Sequence, residues 1–206
     1  MSIEHEAKFR LCHCPAMEPR LRNLGRLLAP WHFESNTVYD RGGELAESGR
    51  LLRLRRALTS TLTFKEPAAG PKTAGVKSRI ERECAVDDPL SMDAILRGLG
   101  YTPRLRYEKF RAVWELPGGK VFLDILPFGH FLEIEARPAS IPDVARELGL
   151  DPETALDVSY HDLHQDWRAE NGLAPMEDFV FSECENKRLT ILLGCDALLQ
   201  GDTDAD

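Results

Sequence analysis

The chain has 206 residues, with 26 Lys and Arg against 34 Asp and Glu, a formal net charge of −8. Hydrophobic residues at 43% and charged residues at 29% supply a sizeable core and exclude global disorder. The acidic balance excludes a protein that coats nucleic acid or an anionic membrane, and no apolar run approaches the roughly 20 residues of a membrane span.

Residues 1–10 alternate polar and apolar positions and predict a strand. Their carboxylates stand where a signal peptide would be basic and then apolar, so a cytoplasmic protein is expected. Five cysteines without a disulfide-framework spacing agree with a reducing compartment. Met17 to Leu28 predicts a helix, with Leu21, Leu24, Leu27 and Leu28 at helical spacing and Pro30 as its stop. Thr37–Asp40 reads as a short strand before the turn Arg41-Gly42-Gly43. Leu51–Leu58 and Thr61–Lys65 read as strands joined by a hairpin at Thr59-Ser60. Residues 66–75 have loop composition, and Lys77–Val86 returns to alternation. Ser91–Leu99 predicts a helix capped by Ser91 and ended by Gly100. Arg106–Leu116 and Lys120–Leu126 flank the hairpin signal Pro117-Gly118-Gly119, and Phe131–Arg137 is a further strand. Ile141–Leu148 and Pro152–Glu170 are helical candidates. From Asn171 the pattern weakens, and Gly201–Asp206 is an acidic tail expected to fray. This gives an α+β chain: a main domain over residues 1–170 and an extension over 171–206 that packs on it or follows it.

Several of these strands carry charge on every second position. Glu4, Glu6 and Lys8 share one face; so do Arg53 and Arg55; Lys77, Arg79, Glu81 and Glu83; Lys109 and Arg111; Glu133 and Glu135. One such strand is more often a solvated face with cross-strand ion pairs. Five strands repeating the pattern argue instead for closure. The predicted fold is therefore a closed eight-stranded antiparallel β-barrel with a charged bore, surrounded by helices that cover its apolar outer face. With Lys65 and Asp124 added, the inward set holds eight basic and seven acidic residues, a near balance that is costly unless ions and ligands complete it. Polyphosphate binding uses both signs together: carboxylates hold Mg²⁺ or Mn²⁺, and Arg and Lys neutralise phosphate oxygens.

At this point the residues resemble the CYTH superfamily, the triphosphate tunnel metalloenzymes. Glu4-His5-Glu6-Ala7-Lys8 is similar to its E-x-E-x-K signature. Residues 36–40, 51–55, 61–65, 77–83, 107–114, 121–124 and 129–135 resemble its later strands in order. Leu148-Gly149-Leu150, Ser159-Tyr160 and Leu163 resemble the ending of the class IV adenylyl cyclase and thiamine triphosphatase-like branch. The resemblance implies Glu4, Glu6, Asp124, Glu133 and Glu135 as metal-binding carboxylates. It implies Lys8, Arg53, Arg55, Lys65, Arg79, Lys109 and Arg111 as phosphate-binding residues, with Lys8, Glu133 and Glu135 carrying the catalysis. Glu81 and Glu83 are left between binding metal and orienting their basic neighbours.

The activity implied is metal-dependent chemistry on a triphosphate with Mg²⁺ or Mn²⁺. It is either cyclisation of ATP to cyclic AMP and pyrophosphate or hydrolysis of inorganic or thiamine triphosphate, with a non-catalytic sensor as the rival. Small-molecule triphosphates are the expected partners; a homodimer is left open. Cys12-His13-Cys14 lacks the second pair that a zinc site needs. His161 and His164 are read as a surface helix face, Trp31, Trp114 and Trp167 as packing residues. Tyr160 is left between touching a substrate base and a core tyrosine whose hydroxyl finds a partner.

Overall fold

Period-two alternation builds eight strands: β1 (Ser2–Leu11), β2 (Arg26–Asp40), β3 (Leu51–Arg56), β4 (Thr61–Pro67), β5 (Lys77–Ala85), β6 (Thr102–Leu116), β7 (Gly119–Leu126) and β8 (Gly129–Ala136). In the computed structural model, which describes residues 2–69 and 73–195, they close in the order β1-β5-β4-β3-β2-β6-β7-β8. Every pairing is antiparallel. The seam is made by β1, which pairs β5 on one edge (Glu4 opposite Arg79) and β8 on the other (Lys8 opposite Glu133). The predicted tail, Gly201–Asp206, lies outside the described residues.

Apolar outer faces are covered as the composition requires. Phe9, Phe110, Leu123, Leu132 and Ile134 are buried under α1 (Glu18–Leu24), α4 (Ile141–Glu147) and α6 (Glu183–Leu193). On the far side, Leu96 of α3 (Pro89–Gly98) packs on Tyr39 and Leu54. A one-turn helix, α2 (Glu44–Glu47), follows the glycine turn after β2. The two-residue loop between β6 and β7 needs Gly118, whose φ of +116° few side chains adopt.

Three expectations are corrected. The helix read over Met17–Leu28 ends at Leu24, and Leu27, Leu28 and Pro30 belong to β2. Gly25 sets the boundary: a Cβ there would sit 2.2 Å from the Glu115 carbonyl oxygen, so the chain lies directly on β6 and leaves as a strand. β2 is irregular near Pro30, with register shifts between Leu27, Ala29 and His32, which is where a proline fits in a sheet. The cap of α3 is Asp88, whose carboxylate accepts from the backbone N–H of Leu90 and Ser91; Pro89 then opens the helix. The candidate over Pro152–Glu170 divides into a short 3-10 turn (Pro152–Thr154) and α5 (Tyr160–Glu170), separated by an extended stretch. There Leu156 bridges the edge of β1 beyond β5, exchanging both backbone hydrogen bonds with Lys8 at 3.0 and 2.8 Å.

The extension, as far as Cys195, takes a defined course. Residues 178–181 run along β6, and α6 opens on a capping box in which Ser182 and Glu185 satisfy each other's backbone N–H. Leu189, Leu193 and Cys195 then pack on the barrel core.

Candidate active site

The inward faces enclose a cavity of about 700 Å³. Because side chains alternate across each strand, β1 contributes Glu4, Glu6 and Lys8, β3 Arg53 and Arg55, and β4 Lys65. β5 contributes Lys77, Arg79, Glu81 and Glu83, β6 Lys109 and Arg111, and β8 Glu133 and Glu135. All seven predicted phosphate-binding residues line this space, as do four of the five predicted metal ligands.

Carboxylate oxygens of Glu4, Glu6 and Glu133 lie within 4.8 Å of one another. Glu6 and Glu133 both reach Lys8, at 2.5 and 3.2 Å, while Glu4 is held by Lys65. Burial, with Glu81 close by, pushes the Glu4 carboxyl above its ordinary range despite Lys65. Glu135 is pushed up too, first by burial and then by repulsion from Glu4 and Glu133. Burial works the same way on Glu133, but Lys8, Arg111 and Lys109 outweigh it and hold that group well below the usual carboxylate range. Three converging carboxylates, with Glu135 under repulsion from two of them, form an all-oxygen donor set, the chemistry that suits a hard divalent cation. The residues therefore fit such an ion, and Glu4, Glu6 and Glu133 are the groups that would hold it.

Asp124 is not brought to this cluster. It is wholly buried and saturated: Arg111 donates to both of its oxygens at 2.6 Å, Tyr160 hydroxyl donates at 2.7 Å and Lys109 at 3.3 Å. Its place is under the basic wall, holding Arg111 and Lys109 in position. The Tyr160 hydroxyl has thus found a partner, and Lys8 and Lys109 also lie 5.1 and 5.6 Å from its ring centroid. Glu81 and Glu83 orient basic residues, Glu81 at 3.2 Å from Lys65 and Glu83 at 3.3 Å from Arg55. Cys14 turns into the core, its thiol donating to the carbonyls of Asp124 and Phe131 at 3.2 Å.

The reading of His161 and His164 as a surface face is corrected. His164 is 3% exposed and packs against Phe128 and Phe179, because α5 lies across one end of the barrel on Leu126, Phe128 and Phe131. His161 lines the cavity and stands 3.2 Å from Glu177.

One participant escapes the sequence reading. Glu34 on β2 is buried beside Lys109 (3.5 Å), Arg55 (3.8 Å) and His32 (3.4 Å). Its signal was the alternation His32, Glu34, Asn36, lost because the strand was started at Thr37. Lys77, in the predicted inward set but not among the predicted phosphate-binding residues, also lines the cavity, its pKa lowered first by burial and then by Lys8 and Arg79 nearby.

Glu34 yields a pH prediction. Burial would raise its carboxyl, but Lys109, His32, Arg111 and Arg55 hold it well below 4.5. A depressed carboxylate contributes stability that is complete above its unfolded value and is lost as pH falls through the folded value. Glu34→Gln should therefore cost about 2–3 kcal/mol at neutral pH, less than a fully orphaned charge because Lys109 keeps Asp124 and Arg55 keeps Glu83. The gap to the parent protein should narrow at roughly pH 3. Urea midpoints at both pH values measure it; a gap of equal size at both would mean that Glu34 is not held ionised.

Comparison with known proteins agrees with this fold. A candidate adenylate cyclase from Vibrio parahaemolyticus superposes with a TM-score of 0.69 at 20% identity, over 79% of this chain and 98% of that one. The PH1012 protein of Pyrococcus horikoshii gives 0.63 at 24% identity, over 76% and 96%. A candidate adenylyl cyclase from Hippeastrum, described as having a dominant triphosphatase activity, gives 0.56 at 20% identity, over 83% and 97%. No curated protein sequence matches. The CYTH domain profile matches residues 2–160, which takes in all eight strands and the first residue of α5. The chain belongs to the CYTH domain family.

Proposed function

We propose that the protein is a divalent-cation-dependent enzyme that binds a triphosphate in the barrel bore and acts on its phosphoanhydride bonds. Ring closure of ATP to cyclic AMP and pyrophosphate is the reaction its sequence resemblance favours. The observation that carries this reading is the convergence of Glu4, Glu6 and Glu133 within 4.8 Å inside a cavity that Arg and Lys side chains from several strands also line. A sensor of polyphosphate would need the basic residues and not the carboxylates.

Glu4, Glu6 and Glu133 would hold Mg²⁺ or Mn²⁺, with Glu135 beside them. Such an ion, when bound, neutralises phosphate charge and polarises the oxygens it touches. Arg53, Arg55, Lys65, Arg79, Lys109 and Arg111 bind the remaining phosphate oxygens, the guanidinium groups in bidentate fashion where geometry permits. Lys8 sits between Glu6 and Glu133, so it can follow charge from the carboxylates to the phosphate as the leaving group departs. Burial would discharge Lys8, but Glu133 and Glu6 hold it protonated throughout the physiological range. In the cyclase the ribose 3′-hydroxyl attacks the α-phosphorus and pyrophosphate leaves. A second reading, hydrolysis with water attacking the terminal phosphorus, is favoured by the triphosphatase activity described for the Hippeastrum protein. The fold hosts either.

Incubation with ATP, inorganic triphosphate and thiamine triphosphate, with Mg²⁺ or Mn²⁺, tests the proposal when every product is resolved. Cyclic AMP with pyrophosphate is expected. Orthophosphate in its place would establish the hydrolase, and cation-dependent binding without any product would replace the enzyme by a sensor.

A further inference from the structure

β6 is longer than β7 and pairs with it only from Phe110 onward, so the edge of β6 from Thr102 to Lys109 overhangs its neighbour. An open edge of this kind offers unpaired backbone groups. Residues 178–181 fill it. The Phe179 N–H donates to the Arg106 carbonyl at 3.0 Å, the Glu108 N–H donates to the Phe179 carbonyl at 3.1 Å, and the Arg106 N–H donates to the Asp178 carboxylate at 2.7 Å. This strap lies beyond the residues that the CYTH profile matches.

The strap brings a side chain into the bore. Phe179 stacks on Tyr107, with ring centroids 5.1 Å apart and planes at 22°, and both line the cavity beside Val38, Leu51 and Leu105. The strand register sets Leu105, Val38 and Arg53 in one transverse row, and Arg53 donates to the Tyr107 hydroxyl at 3.0 Å. One corner of a charged cavity is thus apolar and aromatic, and it ends at a guanidinium. Elsewhere on the wall the aromatic rings carry cations: Arg111 stands 4.3 Å from the centroid of Phe122, and two lysines face Tyr160.

Inorganic triphosphate is charged along its whole length and gains nothing from apolar walls, which cost it hydration. A phosphate ester with a flat ring can use both parts of the corner, the ring against Tyr107, which the buried Phe179 backs, and the first phosphate at Arg53. We infer that this corner, closed by Phe179 from the strap, selects a triphosphate monoester bearing an aromatic ring over inorganic triphosphate. The inference rests on the triphosphate reading of the bore and adds the class of substrate.

Calorimetric titration of ATP and of inorganic triphosphate, each with Mn²⁺, into the full chain and its Phe179→Leu and Phe179→Ala variants tests it. The parent should bind ATP more tightly than inorganic triphosphate. Both variants should lose about tenfold or more in ATP affinity, the scale of one lost ring stack, with inorganic triphosphate unchanged. Leucine keeps apolar volume under α5, so a thermal midpoint near that of the parent certifies its folding. ATP affinity unchanged in a folded variant, an equal loss for both ligands, or a parent that prefers inorganic triphosphate would each overturn the inference and leave the triphosphate reading standing. A parent that binds neither ligand would overturn both.

Discussion

Arg111→Met is expected to destabilise the protein by about 3 kcal/mol, at the lower end of the cost of breaking a buried ion pair. The reason is Asp124. Its carboxylate has no access to solvent, and Arg111 supplies two of the four side-chain hydrogen bonds it accepts, both at 2.6 Å. Burial would draw protons off the guanidinium, yet Asp124 and Glu133 more than offset this and keep it charged. Methionine matches the aliphatic stem and removes the charge, leaving Asp124 to Lys109 and Tyr160. Replacing both members, in Arg111→Met with Asp124→Leu, should recover much of the loss, because a buried pair exchanged for apolar residues of similar volume is close to neutral. Urea denaturation of the two single variants and the double variant measures the coupling. A loss below about 1 kcal/mol for Arg111→Met would show that Asp124 does not depend on it, and the pair would rank with exposed salt bridges.

The largest expected effect on activity belongs to Glu133→Gln. The amide keeps the shape and removes the charge from one of three converging carboxylates. Changes to groups that merely support a metal ligand cost 10–100-fold, so loss of a ligand itself should lower turnover by about 100-fold or more. Folding should suffer less than in the arginine variant, since Lys8 retains Glu6 and Arg111 retains Asp124. Thermal unfolding with and without Mn²⁺ separates the two roles: the parent gains stability from the ion by mass action, and the variant gains little. Cation-dependent turnover at the parental rate would remove Glu133 from the metal site.

How far the sequence reveals this site depends on how regular each strand is. Lys77–Glu83 and Phe131–Glu135 alternate without interruption, and their faces are assigned correctly from period two alone. β2 slips register twice before His32, so the alternation that carries Glu34 is out of step with the residues ahead of it and merges with a leucine run that mimics a helix. α6 shows the opposite failure. Its capping box, Ser182 with Glu185, is legible, but Ile191 and Leu192 are exposed, so no apolar stripe marks the helix. Asp124 marks a deeper limit. Period two turns it inward, but whether an inward carboxylate meets a cation or an arginine depends on β6 beside it and on α5 crossing the barrel end. Those neighbours come from residues 109–111 and from residue 160.

The seam formed by β1 also fixes an order of events during synthesis. Of the eight strands, β1 is made first and waits longest for its neighbours: β5 begins at residue 77 and β8 at residue 129. β2 to β4 can form hairpins as they emerge, but the ring stays open until β8 is complete. Until then the edge of β1 that β8 will cover is exposed, and Glu4, Glu6 and Lys8, along one side of it, are the kind of charge that discourages pairing with another chain. The residues that line the finished bore would therefore guard the unfinished one, and barrel closure, with its long loop entropy, would be the slow step of folding.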